Sequence, residues 1–171
     1  MLELFYKRRS IRKYKDIKVE EEKIEKLIEA ALLSPSGRSR KPWSFVVVEN
    51  EELLEKLSKS KEHGSELIEK APLTIVVCGD EKVSDTWVED TSIALTFIQL
   101  EAESLGLGSC WVQIRERKTK DGEKSEAYVK NLLDIDKNFR VEAIVAIGYP
   151  DELKAPYIKE ALNYEKVTRI K

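Results

Sequence analysis

Residues Asp85 to Leu105 constrain the fold more than any other stretch of the chain. Val88, Thr91, Ala94, Leu95, Ile98, Ala102 and Leu105 recur there at helical spacing. The pattern predicts one long helix, apolar over much of its circumference. A helix of that kind is buried at the centre of a domain, so other layers must enclose it. Gly106 follows at once and suits the left-handed end of a helix.

Four short runs supply an enclosing layer. Residues 43–48, 73–79, 109–114 and 139–148 are apolar and largely β-branched, as strands buried on both faces are. Amphipathic helices are predicted over 20–33 (Ile24, Leu27, Ile28, Ala31), 51–60 (Leu53, Leu54, Leu57) and 125–133, the last with Ser125 as N-cap. Shorter ones fall at 2–7 and 65–70. Tyr6, Tyr14, Tyr164, Trp43 and Trp111 read as packing aromatics. With no repeat, linker or low-complexity segment, residues 1–171 read as a single α+β domain. From Asp151 the chain turns polar, with Pro156, Tyr157, Ile158, Leu162, Tyr164 and Val167 spaced along it. That tail is too apolar for disorder and too irregular for a core element, so it is expected to wrap over something such as another subunit.

Several classes of chemistry find no footing. With 30 basic and 32 acidic residues the chain lacks the basic excess of a general nucleic-acid binder. One histidine, His63, excludes a His-rich metal site and argues against a Ser-His-Asp triad. Dinucleotide and NTP glycine signatures are absent, as is a nucleophile elbow. Cys78 and Cys110 show no metal or redox spacing, and reduced thiols are expected. The start, Met1-Leu2-Glu3-Leu4, has no signal-peptide core, and no apolar run nears the ~18 residues of a membrane span. A soluble cytoplasmic protein is expected, with neither nucleic acid nor membrane as partner. Lys and Glu dominate a 36% charged content, and Gln stands only at 99 and 113, a hyperthermophile-like bias.

What remains is a set of cationic and backbone-donor stretches. Arg8-Arg9-Ser10-Ile11-Arg12 packs three guanidinium forks and a hydroxyl into five residues, a donor set that matches phosphate oxygens. A solvated basic segment is the plain alternative. Ser34-Pro35-Ser36-Gly37-Arg38-Ser39-Arg40-Lys41-Pro42 is a basic loop, and Gly106-Leu107-Gly108-Ser109-Cys110-Trp111 is a glycine turn entering a strand. A phosphorylated ligand with a flat polar ring would use such parts, and the hard chemistry would be the cofactor's.

The same stretches carry a resemblance to the FMN-dependent nitroreductase family. Arg8-Arg9-Ser10-Ile11-Arg12-Lys13-Tyr14 resembles its R-R-S-x-R-x-[FY], and Ser34-Pro35-Ser36 through Pro42-Trp43-Ser44-Phe45 resembles its serine loop. Gly106 to Trp111 resembles G-L-G-[ST]-x-W, and Ala146-Ile147-Gly148-Tyr149-Pro150 resembles A-x-G-Y-P. The resemblance implies a nitroreductase-like sandwich, a central mainly antiparallel sheet flanked by helices, in a homodimer whose tails cross onto the partner subunit. It implies FMN at the interface. Arg8 and Ser10 would hold the phosphate with Arg9 nearby, and Arg12 would face the pyrimidine end. Pro35, Ser36 and Ser39 would come from the other subunit, and the backbone at Ser109 and Cys110 would lie near N5. A basic tail residue would complete the phosphate site. Lys154, Lys159 and Arg169 are the candidates, of which Lys159 is assigned. The implied activity is hydride transfer from NAD(P)H through FMN to nitroaromatic or quinone-like oxidants in ping-pong order, with no catalytic side chain. Ser39 for Asn, Lys41 for Gln and Val112-Gln113 after Trp111 depart from the family pattern. The departures at Ser39 and Gln113 motivate an alternative, a flavin protein of the same fold with another turnover or none: a flavin store, a dehalogenase-like or a flavin-fragmenting enzyme.

Overall fold

The computed structural model describes residues 1–171. Five helices, α1 (Leu2–Lys7), α2 (Glu21–Leu32), α3 (Glu51–Leu57), α4 (Trp87–Ser104) and α5 (Ser125–Leu133), surround four strands. The strands are β1 (Trp43–Val48), β2 (Leu73–Asp80), β3 (Gly108–Gln113) and β4 (Phe139–Gly148), ordered β1-β2-β4-β3 with every pair antiparallel. All four apolar runs become strands, and helices cover both faces of the sheet; β1, expected to be buried, is an edge strand only half-buried from Trp43 to Val47. Leu73, Ile75, Val77, Ala143, Val145 and Ile147 face a core shared with α2 and α4. Val76, Cys78, Val112, Ile114, Ile144 and Ala146 face a second core with α3 and α5. The middle strands β2 and β4 therefore read as largely apolar sequence, interrupted at Thr74, Arg140 and Glu142.

Helix α4 is the central element the sequence demands, with Leu95, Ile98, Ala94 and Ala102 fully enclosed. It ends as Gly106 predicts: Gly106 sits at φ +74°, its N–H donates to Glu103 O, and the Leu107 N–H reaches back to Ala102 O. This doubly bonded cap lets the chain reverse directly into β3. One side stays bare, with Ile93 38% and Phe97 36% exposed.

Three local readings need correction. Ser125 is the first residue of α5 and not its cap; Lys124, extended after its bridge to Lys118, takes the cap position, and the Ser125 Oγ is buried without a partner. The stretch at 65–70 tightens to a 3₁₀ turn, Glu66–Lys70, because Ala71 must be extended before Pro72. Tyr164 is 61% exposed and packs into no core of this chain. The tail beyond Asp151 carries only short 3₁₀ turns and leaves Ile158, Val167 and Ile170 exposed. No helix is long and apolar enough to cross a membrane.

Candidate functional site

The basic arm is built into the sheet. Ser10 bridges Ser109 in parallel, and the Ile11 N–H donates to Ser109 O at 3.0 Å. Gly108 makes this possible, since a Cβ there would stand 2.7 Å from Ile11 Cβ. Ile11 and Tyr14 are each only 7% exposed and anchor the arm, and the Tyr14 hydroxyl donates toward Ile11 O at 2.6 Å. Burial raises the Tyr14 pKa further above its ordinary value.

The first residues after β4 run back along the arm. Arg12 N donates to the Glu152 carboxylate at 2.5 Å, Asp151 N to Lys13 O at 2.9 Å, and Lys154 Nζ to Ser10 O at 2.5 Å. The Arg12 amide holds the Glu152 carboxyl below its usual range. Arg9 turns to this side, donating to Ala155 O and lying 4.6 Å over the Tyr157 ring. Arg8, Ser10 and Arg12 are left as the free donors. Neither the Arg8 guanidinium nor the Ser10 hydroxyl donates within the chain, and Arg12 reaches only Ser10 O at 3.5 Å. Lys154 is the tail cation this geometry brings to the arm; Lys159 lies in an exposed turn, without an ion pair.

Beside the arm, β3 is the open edge of the sheet. Its backbone groups alternate in direction, as in any antiparallel ladder. Ser109 O points outward to the arm, whereas Ile114 N points inward to Glu142 O. Ser109 is therefore spent on the arm and Cys110 on β4, and the outward N–H groups still open belong to Trp111 and Gln113. The Cys110 side chain is buried, and burial raises its thiol pKa while Arg12 and Lys154 pull it down.

Gln113 explains why a long polar side chain follows Trp111 here. Its Oε1 accepts from Trp111 Nε1 at 2.8 Å, and its Nε2 donates to Glu142 Oε1 at 3.0 Å. Glu142 is the residue β4 bulges out, since Val77 pairs with Ala143 and Cys78 with Val141. It is 4% exposed, its Oε2 has no hydrogen bond, and burial raises its pKa above the ordinary 4.5. The folded chain thus keeps this proton to higher pH than the unfolded chain, and the contribution is lost as pH rises through the folded pKa. Glu142→Gln stays neutral and still accepts from Gln113. It is expected to flatten the decline of unfolding free energy above pH 4.5; an unchanged slope in urea titrations contradicts the assignment.

The loop at 34–42 lies elsewhere. Trp43 pairs with Gly79 and Gly79 with Arg140, at the far end of β2 and on the β1 edge. Arm and loop occupy diagonally opposite corners of the sheet, on the order of 20 Å or more apart for strands of this length. Within one chain, Pro35, Ser36 and Ser39 do not meet Arg8, Ser10 and Arg12. A cavity of about 560 Å³ beside Tyr14 and α3 is lined by Asp16, Glu51, Glu55 and Glu69 against Lys15 and Lys70, a net negative lining of the wrong sign for phosphate.

Neither Asp90 nor Glu142 is among the residues singled out from the sequence. Asp90 was legible: it stands one and two turns before Ala94 and Ile98, on the buried stripe of α4. Glu142 sits between Val141 and Ala143 in a buried run, the same kind of signal.

An antiparallel sheet flanked by helices on both faces, with a donor-rich arm along the β3 edge, defines an α+β sandwich. The chain belongs to the nitroreductase family, whose profile matches residues 6–64 and 58–149. The structure of an FMN-dependent nitroreductase from Clostridium difficile superposes with a TM-score of 0.97 at 44% identity, covering 99% of this chain and 98% of that one. A protein of Archaeoglobus fulgidus, provisionally named an NADH dehydrogenase/NAD(P)H nitroreductase, is 38% identical over 99% of this chain and 97% of its own length. An iodotyrosine deiodinase of Thermotoga neapolitana is 25% identical over 92% of each.

Proposed function

We propose that the protein is a cytoplasmic, homodimeric, FMN-dependent oxidoreductase that takes reducing equivalents from NAD(P)H and delivers them to nitroaromatic or quinone-like oxidants. The arm carries this reading. Arg8, Ser10 and Arg12 stand as unspent donors beside an open strand edge, and the remaining arm residues are consumed in fixing them there.

FMN held there would supply the redox chemistry, hydride transfer between NAD(P)H and an oxidant in ping-pong order. The chain's own residues bind and orient. Arg8 and Ser10 hold the phosphate with charge-assisted hydrogen bonds, and Lys154 joins them more readily than Lys159 from where it stands. Arg12 offers positive charge at the pyrimidine end. The open N–H groups at Trp111 and Gln113, one step beyond Ser109 and Cys110, would be available to acceptors of the flavin ring. Pro35, Ser36 and Ser39 act at the site of a second copy, because their own arm lies across the sheet. Exposed Phe5, Phe97, Ile158 and Leu162 give the second copy an apolar surface to cover. Free, buried Cys78 and Cys110 suit a reducing compartment.

Arg8→Ala is expected to weaken FMN binding by about 1.5–3 kcal/mol, roughly tenfold to a hundredfold. Unchanged affinity in a fluorescence titration refutes the phosphate role. Steady-state rates with varied NAD(P)H and oxidant should give parallel double-reciprocal lines; intersecting lines contradict the ping-pong order. The deiodinase relative favours one second reading, reductive dehalogenation at the same flavin. Iodide release from an iodinated phenol, with no turnover of nitroaromatics or quinones, would select it.

A further inference from the structure

Asp90 is 2% exposed and has no cationic partner. Its Oδ1 accepts the Gly37 N–H at 2.7 Å, and its Oδ2 accepts the Ser84 and Thr86 hydroxyls at 3.0 and 3.3 Å. A buried, unpaired carboxylate is costly unless such bonds, and here the first turn of a helix, hold it. Two of its three donors come from the turn leading into α4. The third comes from across the fold, from the 34–42 loop. That loop is held in a conformation the chain does not adopt freely. Arg38, Ser39 and Lys41 stand at φ 52°, 55° and 48°, none of them glycine. Strain of this kind costs on the order of 1 kcal/mol or more per residue and persists only where the surroundings over-determine it. Here Asp90 fixes Gly37, the Ser36 hydroxyl accepts the Lys41 N–H at 2.9 Å, and the Asp80 N–H binds Pro42 O at 2.9 Å. Gly37 itself admits no side chain, since a Cβ would lie 2.5 Å from Thr86 Oγ1. Pro35, Ser39 and Lys41 remain exposed above this anchorage, in a loop strained and pinned from below yet covering no core.

We propose that Asp90 is the positioning residue of this loop, setting Pro35, Ser36 and Ser39 in the conformation that completes the flavin site of a second copy. The inference rests on the proposed function. Asp90 touches no ligand; it acts through the Gly37 amide.

The test is FMN affinity and stoichiometry, read by fluorescence quenching on the apoprotein. Asp90→Ala is expected to weaken FMN binding about tenfold or more, as loss of a supporting hydrogen-bond partner does elsewhere. Asp90→Asn keeps an acceptor for Gly37 and is expected to restore affinity to near the parent's. A mixed dimer of one Arg8→Ala and one Asp90→Ala chain, purified through two tags, decides where the loop acts. If the loop serves the partner's site, both lesions fall in one site and the other is intact, so half the sites bind with parental affinity. If the loop serves its own chain's arm, no site is intact. Parental binding by Asp90→Ala, or a mixed dimer with no parental site, overturns the proposal. Failure of the parent protein to bind FMN overturns the underlying function as well, and so is distinguishable. Should Asp90→Ala not fold, Gly37→Ala lifts the loop from an intact carboxylate and carries the same expectations.

Discussion

Gly108→Val is expected to lower FMN affinity by about three orders of magnitude, because it displaces Arg8, Ser10 and Arg12 together and each lost charged hydrogen bond is worth about 1.5 kcal/mol or more. The cause is space. A Cβ at Gly108 would stand 2.7 to 2.9 Å from three atoms of the Ile11 side chain, near the backbone end where it cannot swing away. The arm must then leave β3, breaking the Ile11 N–H bond to Ser109 O and loosening the Arg12 and Lys154 links to the returning chain. Overpacking of this kind costs about 1–3 kcal/mol of stability. The α2–α4 core lies apart from the arm and is expected to survive. The variant should therefore fold, with a lowered Tm, and fail to retain flavin. A folded Gly108→Val protein of parental FMN affinity contradicts the placement of the arm.

Leu95→Ala is expected to destabilise the fold by about 2–5 kcal/mol, the range for emptying a fully enclosed leucine position. Leu95 is 0% exposed and packs in the core between α4, α2 and the sheet. For a domain of this size about 3 kcal/mol corresponds to roughly 6–12 °C in Tm. The consequence reaches beyond stability. Helix α4 carries Asp90 at its first turn, under the 34–42 loop, and its last turn leads through Gly106 to β3, against which the arm docks. One rigid helix sets the positions of both halves of the proposed site. Thermal unfolding followed by circular dichroism checks the magnitude; a Tm within a degree or two of the parent's contradicts a close-packed α4.

Much of this was legible in the sequence, for a physical reason. Strands covered on both faces are apolar at most positions, so the run at 139–148 announced β4 to the residue; the run at 43–48 announced β1 as well, although that edge strand is only half-buried from Trp43 to Val47. The stripe from Val88 to Leu105 announced α4, and Gly106 its end. The residue types of the arm are what suggest a phosphate-binding chemistry. Pairing between distant segments was not legible. Nothing local to Arg8 or Pro35 says that β4 lies between β2 and β3, and that order puts the arm and the loop at opposite corners. The open backbone groups at Trp111 and Gln113 depend on ladder phase, which Ser109 O and Ile114 N reveal only once β3 is paired. Arg9 could not be told from Arg8 by type; the returning tail, with Ala155 and Tyr157, takes one and leaves the other. Asp90 and Glu142 do not stand out in the sequence because abundant surface carboxylates in a chain with 36% charged residues hide the few buried ones.

The most direct test is to load the purified protein with FMN, record its visible spectrum, and add NAD(P)H in the absence of oxygen. The account predicts a yellow protein, with near-stoichiometric FMN per chain, whose flavin absorbance bleaches on reduction and returns when a quinone or nitroaromatic is added. A protein that retains no FMN contradicts the site, and one that stays yellow under NAD(P)H contradicts the proposed reaction.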